Sequence, residues 1–175
     1  MTSSSKTLGD WLHEFDQEAF RLETLDDYGK SGGTEAYLAF LAGEPQPESY
    51  KTAAWMKTVG DATRSGKRIY RVHVLARPLT KYLRFELSWG YHRNMTVGEE
   101  FFILDTTDRN NPLPDAPDFW LFDERVAGVM NYDDEGKYLG TDFCDTDQIS
   151  RFLTYRDTAL AQSVPFSDWW EEYGE

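Results

Sequence analysis

The first third of the chain has the hydrophobic spacing of amphipathic helices. Apolar residues follow Thr7 at intervals of three and four, and the Thr7 hydroxyl stands where it would cap a first helix. The apolar stripe of that helix would be Leu8, Trp11, Leu12, Phe15 and Ala19. Further helices are predicted over residues 34–42 and 49–63, the second capped by Ser49. Residues 19–25 fit either the end of the first helix or a short strand.

From about residue 67, apolar and polar residues alternate, and this pattern predicts the first clear strand. Its apolar positions are Tyr70, Val72, Val74 and Ala76. Pro78 ends the strand, and Thr80 is placed to cap another helix. The apolar positions of that helix are Leu83, Leu87 and Tyr91.

Short apolar segments separated by polar turns fill most of the remaining chain. They predict strands over residues 100–105, 118–123, 125–132 and 137–143, with a hairpin turn at 133–136. Asp145 is placed to cap a last long helix, which would end at Pro165.

The order of these elements (helices, a strand, a helix, four strands and a helix) predicts an α/β or α+β fold. The N-terminal helices would be followed by a mixed, largely antiparallel sheet flanked by helices. A chain of 175 residues suits one core. We therefore expect a single globular domain over residues 7–165 and an acidic, aromatic tail over 166–175.

The net charge of −13 lies in the second half of the chain. Residues 1–90 carry 12 basic and 12 acidic side chains, whereas residues 91–175 carry 6 and 19. A chain this acidic repels nucleic acid as a whole, so we expect no direct nucleic-acid binding. It suits a basic protein partner, including the DNA-reading face of a regulator.

Composition also indicates the compartment. The lone cysteine, Cys144, excludes an intrachain disulfide and suits a reducing cytoplasm. No apolar run is long enough to span a bilayer, and the N-terminal sequence lacks the apolar core of a signal peptide. We expect a cytoplasmic protein that does not contact membranes.

Residues 64–93 form a basic island, with eight Lys or Arg side chains and Glu86 as the one acid. Charged groups are rarely buried without a partner, so such an island either binds an anion or pairs with the acidic half of the chain. The candidate ligand-binding residues are Arg71, His73, Arg77, Arg84, Glu86, Tyr91, Asn94, Asp118, Trp120 and Asp123.

Internal pairing would join Arg71 to Asp118, or Arg84 to Glu86. On a regular helix, however, residues two apart point away from each other. If residues 80–92 are helical, Arg84 is expected to bind Asp118 or Asp123 instead.

The sequence lacks complete catalytic and metal-binding motifs. It contains no nucleophile elbow, P-loop or Rossmann fingerprint. His13, His73 and His92 have no ligand partner three or four residues away. Residues 131–142 match a calcium loop weakly, but an Asp-Glu-Gly hairpin turn accounts for them equally. We predict no catalytic residue, no metal and no cofactor.

The C-terminal tail mixes aromatic and acidic side chains. Its candidate partner-binding residues are Trp169, Trp170 and Tyr173. Exposed, they would be aromatic anchors within an acidic rim. Docked, they would belong to a closing helix, which is favoured because monomers rarely leave large apolar patches uncovered.

Four segments carry a resemblance to a known family. They are FRLETLDDY (20–28), YRVHVLARPLTKYLRFELSWGYHRN (70–94), GEEFFILD (98–105) and DFWLFDERVAGVMNYDDEG (118–136). These segments resemble a family of uncharacterised actinobacterial proteins that are commonly encoded beside helix-turn-helix regulators. The resemblance covers nearly the whole chain and implies an association with such a regulator.

Residues 71–165 also resemble, in the order of their elements, a half-domain of the phospholipase D superfamily. Active members need a His-x-Lys pair on a hairpin, with the His as nucleophile and the Lys on the phosphate. The comparable stretch here, residues 130–136, contains neither residue. The resemblance therefore implies the fold without the phosphodiesterase activity.

Three functions fit these observations. The first is a non-catalytic interaction or regulatory protein that acts with a helix-turn-helix regulator and senses a small anionic ligand. The second is an enzyme that acts on a phosphorylated or anionic small substrate through Arg71, His73, Arg84 and Glu86. The third is a ligand-binding module without an obligatory partner. The acidic second half of the chain favours the first.

Overall fold

A computed structural model describes residues 5–32 and 34–174, with the side chain of Asp145 excepted. The helices are α1 (Leu8–Glu14), α2 (Thr34–Leu41), α3 (Glu48–Lys51), α4 (Ala54–Arg64), α5 (Lys81–Phe85), α6 (His92–Met95), α7 (Ile149–Gln162) and α8 (Phe166–Tyr173). A π-helical turn, Glu86–Tyr91, joins α5 to α6. The strands are β1 (Glu18–Glu23), β2 (Arg68–Leu75), β3 (Glu100–Asp105), β4 (Phe119–Phe122), β5 (Val126–Tyr132), β6 (Tyr138–Asp145) and β7 (Val164–Pro165).

The α+β class predicted from the sequence is confirmed. In the described residues the strands form one seven-stranded sheet in the order β6-β5-β4-β1-β2-β3-β7. β1, β2 and β3 are parallel neighbours, and the remaining pairings are antiparallel. The carboxyl ends of β1 and β2 therefore meet at the same edge of the sheet.

The first helix is shorter than predicted. Thr7 caps it in a capping box with Asp10, as expected, but the helix ends at Glu14 because Phe15 takes an extended conformation. Ala19 lies on β1, so residues 19–25 contain a strand and not a helix end. Phe15 is nevertheless buried, in the same apolar group as Trp11.

Two other predicted helix starts are wrong. Ser49 lies inside α3, and a break at Thr52 and Ala53 separates α3 from α4 because Ala53 is extended. Asp145 ends β6 and does not cap a helix, since α7 begins four residues later at Ile149. The hydroxyl of Thr80 does cap α5, by accepting a hydrogen bond from the Leu83 amide.

The two faces of the central strands differ in chemistry. One face is apolar and packs Phe20, Leu22, Tyr70 and Val72 with Phe152 of α7. The opposite face places charged residues of β1 and β2 beneath the helical segment 81–95. The alternation of side chains along a strand assigns each residue to one face or the other.

The C-terminal segment is docked on the sheet. Phe166 and Trp169 of α8 are buried together with Phe101 and Ile103 of β3. Pro165 ends the two-residue strand β7, which pairs with β3, and not a long helix as predicted. No helix in the described ranges has both the length and the apolar character needed to cross a membrane.

Candidate functional site

A group of buried polar side chains lies on the charged face of the sheet. We call it the polar cluster; its members are Arg21, Glu23, Arg71, His73, Glu86, Tyr91, Glu99 and Asp118. Arg21 is paired in register with Arg71, and Glu23 with His73, so all four point to the same face. Arg21, Glu23, His73, Glu99 and Asp118 are each less than 5% exposed.

The π-helical turn supplies two further members of the cluster. Glu86 and Tyr91 are its first and last residues. On an α-helix, side chains five residues apart would point about 140° away from each other. The wider i→i+5 turn brings them to the same side, and π-turns are known to recur at functional sites.

Arg71 is held by two carboxylates. Its Nη1 donates to Glu23 Oε1 at 2.7 Å, and its Nε donates to Glu99 Oε1 at 2.8 Å. Its Nη2 also donates to Glu99. The other oxygen of Glu99 accepts from Trp55 Nε1 at 3.0 Å. The guanidinium of Arg71 is therefore occupied by internal partners.

His73 is completely buried and contacts polar atoms through both ring nitrogens. Nε2 lies 2.9 Å from the Leu25 carbonyl oxygen. A carbonyl oxygen can only accept, so Nε2 carries the proton. Nδ1 lies 2.9 Å from the Tyr91 hydroxyl and 3.7 Å from Glu86 Oε2. The Tyr91 hydroxyl is also 3.2 Å from Glu23 Oε1, to which it can donate.

Arg21 and Asp118 form the other end of the cluster. Arg21 Nη2 donates to Asp118 Oδ2 at 3.2 Å and to the Tyr132 hydroxyl at 2.9 Å. Asp118 also accepts from the hydroxyls of Thr24 and Tyr28. This buried ion pair links Asp118, which directly precedes β4, to Arg21 of β1.

Glu23 and Glu86 differ in protonation although they are neighbours. Burial would raise the pKa of Glu23, but neighbouring positive charge, that of Arg71 foremost, outweighs burial and lowers the pKa to about 2. Burial, and then the charge of Glu23, raise the pKa of Glu86 well above its usual range. Burial also raises the pKa of Tyr91 well above its ordinary value. Of these two carboxyl groups, Glu86 is therefore the one that holds a proton more readily.

Two buried atoms of the cluster have no hydrogen-bond partner in the described part of the chain: Glu86 Oε2 and Arg21 Nη1. Unsatisfied buried polar atoms are costly, and they often mark a place where water or an ion binds. Among the described residues, Glu23, His73 and Glu86 are the group that could ligate a metal, since one donor atom from each lies within 4.8 Å of the others.

The structure brings together five of the predicted ligand-binding residues: Arg71, His73, Glu86, Tyr91 and Asp118. Trp120 lies beside them, with the Arg71 and Arg21 guanidinium carbons 5.8 and 5.9 Å from a ring centroid. Asn94 is buried but accepts from Arg93 Nε at 2.8 Å.

The other predicted residues lie elsewhere. Arg77 pairs with Asp105 at 2.7 Å, and Arg84 is exposed on α5. Asp118 is buried and binds Arg21, and Asp123 contacts Arg125, so the ion pairs of the two acids are with other arginines than the predicted Arg84. The suggested pairing of Arg71 with Asp118 is wrong for the same reason.

Asp123 lies in the turn between β4 and β5 and binds backbone amides there. Its carboxylate accepts hydrogen bonds from the amides of Asp16, Gln17 and Glu18, at 2.8, 2.7 and 3.0 Å. Asp123 and Glu124 both have positive φ, 51° and 57°. They are the central residues of a turn closed by a hydrogen bond from the Arg125 amide to the Phe122 carbonyl at 2.9 Å, and a hairpin turn of this hand requires positive φ at both central positions, which is uncommon for residues other than glycine.

Sequence reasoning missed Arg21, Glu23 and Glu99. The alternation in Ala19-Phe-Arg-Leu-Glu23 is a strand signal that would have placed Arg21 and Glu23 on one face. Glu99 stands directly before β3 and gives no comparable signal. Carboxylates from three separate segments therefore neutralise part of what looked like a basic surface.

The predicted partner-binding aromatics are mostly covered. Trp169 is 2% exposed, and its Nε1 donates to Asp105 Oδ2 at 2.9 Å. Trp170 and Tyr173 are partly buried against the same apolar group. Arg77 lies over the Tyr173 ring, 3.9 Å from its centroid. The docked alternative for this segment is the one found.

A different surface is apolar and exposed. β6 is the last strand of the sheet, with β5 as its strand neighbour on one side. Tyr138, Leu139 and Phe143 on it are 37%, 63% and 37% exposed. Asn131 and Asp142 hydrogen-bond across β5 and β6 at 2.9 Å, so the weak calcium-loop match belongs to a hairpin.

Comparison with known proteins identifies a family but no characterised relative. No curated protein matches the chain. A family described as "Domain of unknown function (DUF6879)" matches residues 6–171. This match extends from α1 into α8 and includes every member of the polar cluster, so the chain belongs to the DUF6879 family.

Proposed function

We propose that the protein is a non-catalytic interaction protein whose β6 edge binds an extended, basic segment of a partner protein. The partner class we propose is a helix-turn-helix regulator, and the setting is the cytoplasm. The observation that carries the proposal is the exposure of three large apolar side chains along an edge strand. Edge strands with free backbone groups are templates for pairing with another chain.

Charge supports a basic occupant of this edge. Residues 133–147 contain six acidic side chains and a single lysine, Lys137. A second copy of this chain would bring the same acids against each other, and this repulsion opposes self-pairing. A segment with alternating apolar and basic residues would match both the apolar contacts and the charge.

The state of the basic island supports a role without catalysis. Arg71 is bound by Glu23 and Glu99, and His73 is bound by Leu25 and Tyr91, so both have internal partners. Arg84 is exposed on α5. We also expect no phosphodiesterase turnover, since residues 130–143 hold no His-x-Lys pair. Hydrolysis of a generic phosphodiester by the pure protein, lost on mutation of this hairpin, would contradict that expectation.

The test starts with co-purification from the native host, followed by reconstitution with the purified regulator. We expect Leu139→Ser to raise the dissociation rate of the complex, because Leu139 is the most exposed apolar side chain of β6. Leu38→Ser is the matched control, since Leu38 is 59% exposed but lies on α2. Surface plasmon resonance measures both rates.

Charge variants distinguish partner binding at β6 from partner binding at the C-terminal helix. Asp134→Lys with Asp147→Lys should slow association and reduce its salt dependence, whereas Glu172→Lys in α8 should not. Equal effects at the two places would contradict the β6 assignment. A homodimer disrupted by Leu139→Ser, or tight salt-sensitive DNA binding by the isolated chain, would overturn the proposal.

A further inference from the structure

We propose that Glu23, His73 and Glu86 bind one divalent transition-metal ion in the polar cluster. This inference is independent of the β6 surface, which lies at the edge of the sheet. It is based on the geometry of three donors, the orientation of one histidine and the charge of the cluster.

The three side chains come from three elements that meet at one edge of the sheet. Glu23 ends β1, His73 is near the end of β2, and Glu86 begins the π-helical turn. One donor atom from each lies within 4.8 Å of the other two. Bonds of 2.0–2.2 Å at tetrahedral angles place ligand atoms roughly 3.4 Å apart. His73 Nδ1 and Glu86 Oε2 are already 3.7 Å apart, so small side-chain rotations complete the set.

The hydrogen bond from His73 Nε2 to the Leu25 carbonyl fixes the ring for this role. It places the proton on Nε2 and leaves the lone pair of Nδ1 on the side of the Tyr91 hydroxyl, 2.9 Å away, and of Glu86 Oε2, 3.7 Å away. Metal-ligating histidines are oriented by such a bond from the other nitrogen. Tyr91 can then donate to Glu23 at 3.2 Å in place of His73, so its hydroxyl keeps a partner when Nδ1 binds a metal.

Glu86 supplies the independent sign of a missing ligand. Its Oε2 is buried and has no hydrogen-bond partner in the described residues, yet it lies 3.7 Å from His73 Nδ1. The side chain of Glu86 retains 14% of its exposure, so the cluster reaches the protein surface at this residue. A ligand that reaches Oε2 would satisfy an atom that the protein itself leaves unpaired.

The net charge of the polar cluster favours a cation over an anion such as the basic island could bind. The cluster contains four carboxyl groups (Glu23, Glu86, Glu99 and Asp118) and two guanidinium groups (Arg21 and Arg71). With a proton on Glu86 its net charge is −1; with all four carboxyl groups ionised, as they would be around a bound ion, its net charge is −2, which one divalent ion would neutralise. An added anion would increase the imbalance in a buried site.

The donor types narrow the class of ion. One imidazole nitrogen and two carboxylate oxygens suit Zn²⁺, Mn²⁺ or Fe²⁺, whereas Ca²⁺ and Mg²⁺ favour all-oxygen sites and Cu⁺ favours sulfur. Three protein ligands leave at least one coordination position for water or another small ligand.

The test is titration of chelator-stripped, untagged protein with ZnCl₂ and with MnCl₂, in excess Mg²⁺ to occupy surface carboxylates. Calorimetry should show one ion per chain for wild type. Glu86→Gln, which keeps the shape and removes the charge, should weaken affinity by more than the roughly 10- to 100-fold that loss of an outer hydrogen-bond partner costs. His13→Gln is the matched control, because His13 is exposed and lies on α1.

A second measurement needs no variant and so does not depend on folding of a mutant. On addition of Zn²⁺, the NMR signals of the His73 ring should shift while those of His13 and His92 stay in place. Circular dichroism verifies that Glu86→Gln is folded. Equal affinity of wild type and Glu86→Gln, or shifts confined to His13 and His92, would overturn the proposal, as would the absence of saturable binding.

Discussion

The two faces of strands β1 and β2 follow the same alternation and yet are held together in different ways. On one face Phe20, Leu22, Tyr70 and Val72 pack with α7. On the other face Arg21, Glu23, Arg71 and His73 bind named partners beneath the helical segment 81–95. The apolar face requires matching volume, whereas the polar face requires particular atoms at particular distances.

This contrast predicts different responses to substitution. A truncated apolar side chain leaves a cavity whose cost depends on how far its surroundings relax. A truncated charge leaves its partners buried and unpaired, and repair requires changing those partners as well. The four predictions below test the contrast, in order of decreasing effect.

The largest effect is expected for Arg71→Ala. It leaves Glu23 and Glu99 without their cation, which should lower the free energy of unfolding by about 3–5 kcal/mol. Urea denaturation measures the change. Arg68→Ala is the control, since its ion pair with Glu100 is half exposed and should contribute about 1 kcal/mol or less. Adding Glu99→Gln should restore part of the loss; no restoration would contradict the uncompensated-charge explanation.

Leu22→Ala tests the apolar face next to the same charged residues. Leu22 is fully buried between Arg21 and Glu23 in sequence but points towards α7. We expect a loss of about 3 kcal/mol from the cavity. Leu22→Met should recover most of it, because that face requires volume and not a particular atom. Equal losses of unfolding free energy for Ala and Met in urea denaturation would indicate that this face also requires particular atoms, as the polar face does.

Asp123→Asn probes a carboxylate paired with backbone amides instead of guanidinium groups. The asparagine tolerates the positive φ but loses the charge that accepts three amide hydrogen bonds, at a cost of about 2 kcal/mol. Burial raises the pKa of Asp123, but the amides of Asp16, Gln17 and Glu18 outweigh it and lower the pKa overall. Its contribution is therefore complete above the ordinary aspartate range and is lost as the pH falls through the lowered value.

The difference in stability between wild type and Asp123→Asn should accordingly shrink on acidification below about pH 4. Denaturation series at several pH values measure it. Asp134→Asn, at an exposed site in the turn after β5, should change neither stability nor its pH dependence. A difference in stability between wild type and Asp123→Asn that increases in acid would contradict the assigned role of the carboxylate.

Glu86→Gln should have the smallest effect, and of opposite sign. In chelator, the variant should be more stable than wild type by about 1 kcal/mol, because a neutral amide replaces a group crowded by Glu23. Burial and Glu23 raise the pKa of Glu86, so the folded wild type binds a proton more readily than the unfolded chain. Wild-type stability therefore falls as the pH rises above the ordinary glutamate range, and the advantage of the variant grows. A variant that is less stable at every pH would refute this.

The sequence predicted the elements whose signals are local. The Thr7 and Thr80 caps, the alternation in β2 and the hairpin of β5 and β6 each depend on a few consecutive residues. Predictions failed where a long-range contact decided the outcome. Phe15 has the right spacing for α1 but extends the chain towards β1, and its apolar partners lie on α4 and β4.

The sequence identified five of the eight members of the polar cluster. Arg71, His73 and Glu86 stood out because basic residues and a histidine cluster in sequence. Their partners Glu23 and Glu99 are 48 and 28 residues away from Arg71, and only the parallel pairing of β1, β2 and β3 brings them together. The sequence left open whether the basic island binds an anion or pairs with acidic residues; Arg71 is paired internally, and which acids it meets depends on topology.

The π-helical turn has a consequence for how this family can vary. A π-turn accommodates one residue more than an α-helix of the same path. Relatives that lack one residue between the glutamate and the tyrosine should form an ordinary α-helix here, with the pair spaced Glu-x3-Tyr and still on one side. Relatives with Glu-x4-Tyr, as in Glu86 and Tyr91, should keep the wider turn. Gain or loss of one codon at this point is thus compatible with an intact cluster. Both spacings can place the glutamate and the tyrosine in the same site.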